Sequence, residues 1–243
     1  MTAKDRIFCA LDVSNLHTAL ALTSILKPEV GAFKIGLELF LSEGPLAVRK
    51  LQEVGADRVF LDLKLHDIPN TVAGAVRAAA QLGVWCLTLH TTGGSAMVRA
   101  ARDAADKYEN SGRKRPFLLG VTVLTSLSQQ MLQQELQVRL SLKDQTVHLA
   151  KLALENGCDG VVASPLEIRC IREAIPDPNF LIITPGVRPE GSAAGDQART
   201  LTPGEAVREG ANYLVIGRPI TASADPIAAA RSIIAEIQNM EYL

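Results

Sequence analysis

Residues 62–71 read Asp-Leu-Lys-Leu-His-Asp-Ile-Pro-Asn-Thr and gather several side chains able to move protons or hold charge. Asp62 and Lys64 stand two apart, so on an extended strand both leave the same face; Phe60 shares that face, and Val59, Leu61 and Leu63 leave the other. The spacing therefore sets a carboxylate beside an ammonium. As a mere structural ion pair this would be costly to bury at a strand end. Carboxylates around a lysine favour its charged form. Lys64 is accordingly expected to be a fixed cation and proton donor, not a Schiff-base nucleophile, which needs a neutral amine. Asp67 breaks the two-residue alternation, so the chain must turn before presenting it, either back to the same pocket or toward a neighbouring subunit. Asp12, at the end of an apolar run, and Lys34, inside another, add a second carboxylate–ammonium combination.

A second chemistry lies toward the C-terminus. Thr184-Pro185-Gly186-Val187-Arg188 and Gly217-Arg218-Pro219-Ile220 each follow a β-rich run. Glycine lets backbone amides approach anionic oxygens, and arginine supplies a forked cation, so both segments suit phosphate. The small, polar residues 191–197, which include Gln197, are expected to close over that group as a lid.

The elements that must position these groups are legible as an alternation. β-Rich runs fall at 7–11, 32–35, 58–63, 84–90, 117–124, 160–163, 180–184 and 213–216. Segments with apolar residues at three- and four-residue spacing fall at 16–26, 46–54, 71–82, 96–108, 143–155, 166–174, 203–209 and 226–238. Ser14 is expected to cap the first helix, and Asp225-Pro226 to cap and open the last. Gly55, Gly83, Gly157 and Gly210 each fall between a helix and the next strand, as helix stops do. Eight strand–helix units in 243 residues is the pattern of a (β/α)8 TIM barrel, an α/β fold, here as one catalytic domain over residues 1–243. A doubly wound open sheet is the structural rival. In a barrel the strand C-terminal ends carry the active site, and loops seven and eight commonly grip phosphate. Residues 125–143 exceed a minimal connection and are expected to hold an extra helix over the barrel mouth.

Composition narrows the class further. With 25 basic and 26 acidic residues the net charge is −1, which gives no electrostatic footprint for nucleic acid or a membrane surface. No segment approaches the roughly 18 consecutive apolar residues of a membrane-spanning helix. The apolar run near Met1 is too short for a signal peptide. Four cysteines, Cys9, Cys86, Cys158 and Cys170, form no CxxC pair and no zinc spacing. They read as core or peripheral thiols in a reduced, cytoplasmic setting. His66 is expected to make a structural hydrogen bond on the side opposite Lys64, and His90 to be structural as well. Gly93-Gly94 reads as a turn, and Trp85 as packing.

The strand-three segment DLKLHDIPNT closely resembles the active-site segment of the orotidine 5′-phosphate decarboxylase family. The resemblance extends over essentially the whole chain through LDV at 11–13, FKIG at 33–36, VTVLTS at 121–126, TPGVRP at 184–189 and IGRPI at 216–220. Many relatives carry an aromatic residue where Leu65 stands. The resemblance implies loss of CO2 from orotidine 5′-monophosphate to give UMP, the last step of de novo pyrimidine synthesis, with no metal or organic cofactor. It implies a homodimer with sites at the subunit interface. Carried over, Lys64 is the proton donor at C6, and Asp62 and Lys34 join it in a charged network. Asp67 and Thr71 reach the partner's site, and Ile68 beside them belongs to the substrate-binding set. Asp12 and Lys34 hold the ribose hydroxyls. Thr125 and Ser126 lie near the pyrimidine. Gln197, Gly217, Arg218 and Arg188 hold the phosphate. Two rivals stand beside this reading. One is a metal-dependent sugar-phosphate decarboxylase or hexulose-phosphate synthase on the same barrel, expected to carry a carboxylate for Mg2+ on strand two, where this chain has Lys34. The other is a non-catalytic barrel that binds a phosphorylated ligand.

Overall fold

The computed structural model describes residues 1–189 and 201–241, and the lid expected at 191–197, with Gln197, lies outside the described residues. Eight parallel strands close on themselves in chain order: β1 Ile7–Ala10, β2 Ala32–Ile35, β3 Val59–Leu65, β4 Cys86–His90, β5 Phe117–Val121, β6 Gly160–Val162, β7 Leu181–Pro185 and β8 Tyr213–Ile216, which pairs back to β1. The helices between and after them are α1 Leu16–Leu26, α2 Leu37–Glu43, α3 Pro45–Glu53, α4 Pro69–Gln81, α5 Gly94–Glu109, α6 Gln129–Gln134, α7 Leu142–Glu155, α8 Ile168–Ala174, α9 Pro203–Arg208, α10 Arg218–Thr221 and α11 Pro226–Glu241. The molecule is a (β/α)8 barrel, not an open sheet.

Strands buried on both faces are apolar almost throughout, as in β1, where all of Ile7, Phe8, Cys9 and Ala10 are buried. Alternation sorts them into two cores. Ile7, Cys9, Val59, Leu61, Leu87 and Leu89 pack outward among the helices. Phe8, Ala10, Phe60, Cys86 and Tyr213 fill the barrel. Inside, Phe8 stacks on Tyr213 at 4.7 Å between ring centroids and meets the edge of Trp85 at 5.3 Å. This aromatic plug fills the barrel interior beneath its C-terminal mouth.

Several boundaries depart from the sequence reading for local reasons. Asn15, not Ser14, caps α1: its side chain accepts from the Thr18 amide at 2.9 Å, because Leu16 is the first helical residue and the cap must sit directly before it. Asp225 does cap α11, accepting from the Ala228 amide at 3.0 Å. The fourth helix starts at Pro69 rather than residue 71, since a proline at the first helical position needs no amide partner. Strand β3 runs on to Leu65, and β5 stops at Val121. The extra helix expected within 125–143 is α6, capped by the Ser128 side chain. The short helices α2 and α10 lie outside the periodic segments read from the sequence: α10 is about one turn, and α2 passes into α3 across Gly44 with no strand between. Gly157 and Gly210 take φ of 93° and 109°, the left-handed conformation the helix-stop reading requires.

Candidate active site

The C-terminal mouth of the barrel holds a cavity of about 590 Å3. Asp12, Lys34, Asp62 and Lys64 line it from the ends of β1, β2 and β3, and Gly186, Arg188, Gly217 and Arg218 line it from the connections after β7 and β8. Register explains the first group. Ala10 pairs with Lys34, and Lys34 with Phe60, so the residue two beyond Phe60 reaches the mouth one layer above the aromatic plug. The sequence therefore converts an alternation into a row of charge on an apolar floor.

The four charged side chains form an alternating chain. Lys34 Nζ donates to Asp12 Oδ1 at 2.8 Å and lies 3.7 Å from Asp62 Oδ2. Lys64 Nζ donates to both Asp62 oxygens at 2.9 Å. The Lys34 and Asp62 side chains are only 7% and 14% exposed, so their attraction acts in a medium far less screening than water. Lys64 and Asp12 keep more contact with solvent, at 31% and 59%. Every ammonium in the row is held by a carboxylate, and the outermost ammonium, Lys64, faces the cavity.

The remaining candidates divide. Thr125 lines the cavity beside Val123 and Leu124, which give it an apolar wall. Ser126 is exposed and stands outside that lining. Asp67, Ile68 and Thr71 also lie on the exposed surface where β3 passes into α4, outside this cavity. The Asp67 carboxylate accepts from the Ile68 amide at 2.6 Å, which fixes the turn that the broken alternation demanded. Gln197 is outside the described residues.

The histidines correct one expectation. His66 is exposed, and among the described residues its imidazole makes no hydrogen bond; it tilts against the His90 ring with centroids 5.4 Å apart. Burial pushes the His90 imidazole below its ordinary range, and the electrostatics of His66 and Lys64 beside it add to this.

Sequence reasoning missed Thr88, Gly36 and Glu38. Thr88 is fully buried on β4, and its hydroxyl donates to Asp62 Oδ1 at 2.9 Å. Its signal was present: within 84–90 it is a polar residue on the inward parity shared with Cys86. Gly36 and Glu38 line the cavity where β2 turns into α2. A Cβ at Gly36 would stand 2.8 Å from Lys34 Nζ and 2.9 Å from Asp12 Oδ1, so only glycine leaves that ion pair its space.

Comparison with known proteins agrees with this geometry. The chain is 55% identical over 242 residues to an orotidine 5′-phosphate decarboxylase of Moorella thermoacetica, covering 99% of this chain and 95% of the relative. It is 53% identical to that of Trichlorobacter lovleyi, covering 97% and 96%. A crystal structure of the Lactobacillus acidophilus orotidine 5′-phosphate decarboxylase superposes with a TM-score of 0.81 at 40% identity, covering 95% of this chain and 98% of that one. The Pyrococcus horikoshii enzyme superposes at 0.76 with 26% identity, covering 96% and 99%. With residues 5–233 matching its model, and the charged row seated where that fold does chemistry, the chain belongs to the orotidine 5′-phosphate decarboxylase / HUMPS family.

Proposed function

We propose that the protein removes CO2 from orotidine 5′-monophosphate to give UMP, using its own side chains and no metal or organic cofactor. The observation that carries this reading is the row Asp12–Lys34–Asp62–Lys64 in one cavity with Arg188 and Arg218. The nucleotide offers a matching order of groups: phosphate toward the two arginines and Gly217, ribose hydroxyls toward Asp12 and Lys34, pyrimidine against Thr125, Val123 and Leu124. C6 then lies at Lys64.

The bond from C6 to the carboxylate breaks, CO2 leaves, and the electron pair stays on C6 in the ring plane, where the π system cannot share it. Stabilisation must come from charge already in place. The Lys64 ammonium, held by both Asp62 oxygens, is such a charge and needs no reorganisation as the anion develops. Lys64 Nζ then gives its proton to C6. Phosphate contacts far from C6 contribute remote binding energy, with Gln197 as a further phosphate ligand.

Asp67, Ile68 and Thr71 complete this reading as groups that a homodimer carries to the partner's cavity; their exposure next to the mouth supports it. Ser126 is assigned near the pyrimidine. The whole chain acts as one catalytic domain in the cytoplasm. Lys34 argues against the metal-dependent relatives, because an ammonium 3.7 Å from Asp62 repels a divalent cation from the carboxylate it would need.

Two variants test the assignment. Lys64→Ala is expected to remain folded and to lose at least about 10^3-fold in kcat, the scale of a missing general acid together with its charge. Arg218→Ala is expected to raise KM about 10- to 100-fold by removing a charge-assisted phosphate contact. Steady-state kinetics on both decide it: near-normal turnover in the first removes Lys64 from the chemistry, and an unchanged kcat/KM in the second moves the phosphate elsewhere.

A further inference from the structure

The ladder between β3 and β4 is irregular at the site. Leu61 pairs with Leu87 and Leu65 with Leu89. Between these pairs β3 places Asp62, Leu63 and Lys64, and β4 places Thr88 alone. The surplus buckles β3. Lys64 absorbs the buckle with φ of 50°, a left-handed conformation rare for a residue with a side chain. Displaced from the ladder, its amide donates to Thr88 Oγ1 at 2.9 Å. The same hydroxyl sends its proton to Asp62 Oδ1 at 2.9 Å. Thr88 is 0% exposed, so its hydroxyl makes these bonds out of contact with solvent.

One hydroxyl thus does two things. It satisfies the backbone of the lysine, and it orients the carboxylate that grips that lysine's ammonium. We propose that Thr88 is a positioning residue for the reaction: its hydroxyl pins the bulge of β3 so that Lys64 and Asp62 meet the substrate in one geometry. This rests on the reading of Lys64 as the proton donor to C6. A side chain off its angle by about an ångström can cost two orders of magnitude in rate, so a pin on both partners acts on kcat. Thr88 lies outside the cavity lining, so substrate affinity should not follow it.

The test compares Thr88→Ser with Thr88→Ala, which differ from each other by one oxygen atom. Orotidine 5′-monophosphate turnover is measured beside the wild type, together with hydrogen exchange at the Lys64 amide. The serine variant is expected to keep kcat within about threefold, and the alanine variant to lose about 10- to 100-fold, the equivalent of one hydrogen bond to a charged group. KM should stay within about twofold in both, since no ground-state contact is removed. The Lys64 amide should exchange faster in the alanine variant. Equal kcat in the two variants overturns the proposal, whether both are high or both are low. If alanine prevents folding, Thr88→Val keeps the volume, lacks the hydroxyl and carries the same expectation. If the wild type itself leaves the nucleotide unchanged, the proposed function fails; the pin is then decided by amide exchange alone, faster in alanine than in serine for it, equal against it.

Discussion

Lys34 sits between two carboxylates in the charged row, and its setting is made by a residue with no side chain. Gly36 has an ordinary φ of −93°, so alanine is sterically free to adopt the backbone there. Its Cβ would nevertheless press on both Lys34 Nζ and Asp12 Oδ1. Gly36→Ala is therefore expected to keep its melting temperature within about 2 °C while kcat/KM falls about 10- to 100-fold, because the ammonium must move from its place. Thermal melts run beside kinetics check this, and normal kinetics would show that the Lys34–Asp12 contact is dispensable. At this scale the sequence was readable wherever spacing alone fixes geometry. Asp62 and Lys64 declare themselves by standing two apart. Gly36 does not, because its part is a contact with side chains of other segments, and the parity of Thr88 tells only that it faces inward, not that it meets Asp62 and the Lys64 amide on the next strand.

At the scale of elements, the ends of β3 and β4 work as one unit. The bulge of β3 sets Lys64, the turn after it sets Asp67, and His90 at the end of β4 packs against His66. His90 is held below its ordinary pKa chiefly by burial, so the unfolded chain binds a proton there more readily than the folded one. The stability this represents is fully present above the ordinary imidazole value of about 6.5 and is lost as pH falls through the lowered value in the fold. The wild type should therefore lose melting temperature between pH 7.5 and 5 more steeply than His90→Asn, which has nothing to protonate. Parallel curves would remove His90 from the acid response. Helices and strands of ordinary length were legible from periodicity and glycine stops. The short α2 and α10 were not: α10 is about one turn long, and α2 runs into α3 across Gly44 with no strand between them; the cap of α1 slipped by one residue because Ser14 and Asn15 are both good caps and only the hydrogen bond to Thr18 distinguishes them.

For the molecule as a whole, closure of eight parallel strands turns distant segments into neighbours: Asp12 and Arg218 stand at opposite ends of the chain and line one cavity. The aromatic plug of Phe8, Trp85 and Tyr213 beneath that cavity gives the charged row a dry base. Fold class, and the meeting of the loops after β7 and β8 at the barrel mouth, followed from counting strand–helix units, because this architecture places the strand C-terminal ends together whatever the sequence. The proposed reach toward a second subunit rests, for Asp67, on its broken alternation and the family resemblance and, for Thr71, on that resemblance alone. The most direct measurement follows ultraviolet absorbance after the protein is mixed with orotidine 5′-monophosphate, with and without EDTA, with UMP identified as the product. Rapid conversion at the same rate in both is the expected result. No conversion by the folded protein would contradict the substrate assignment, and conversion abolished by EDTA would contradict catalysis by the lysine–carboxylate row alone.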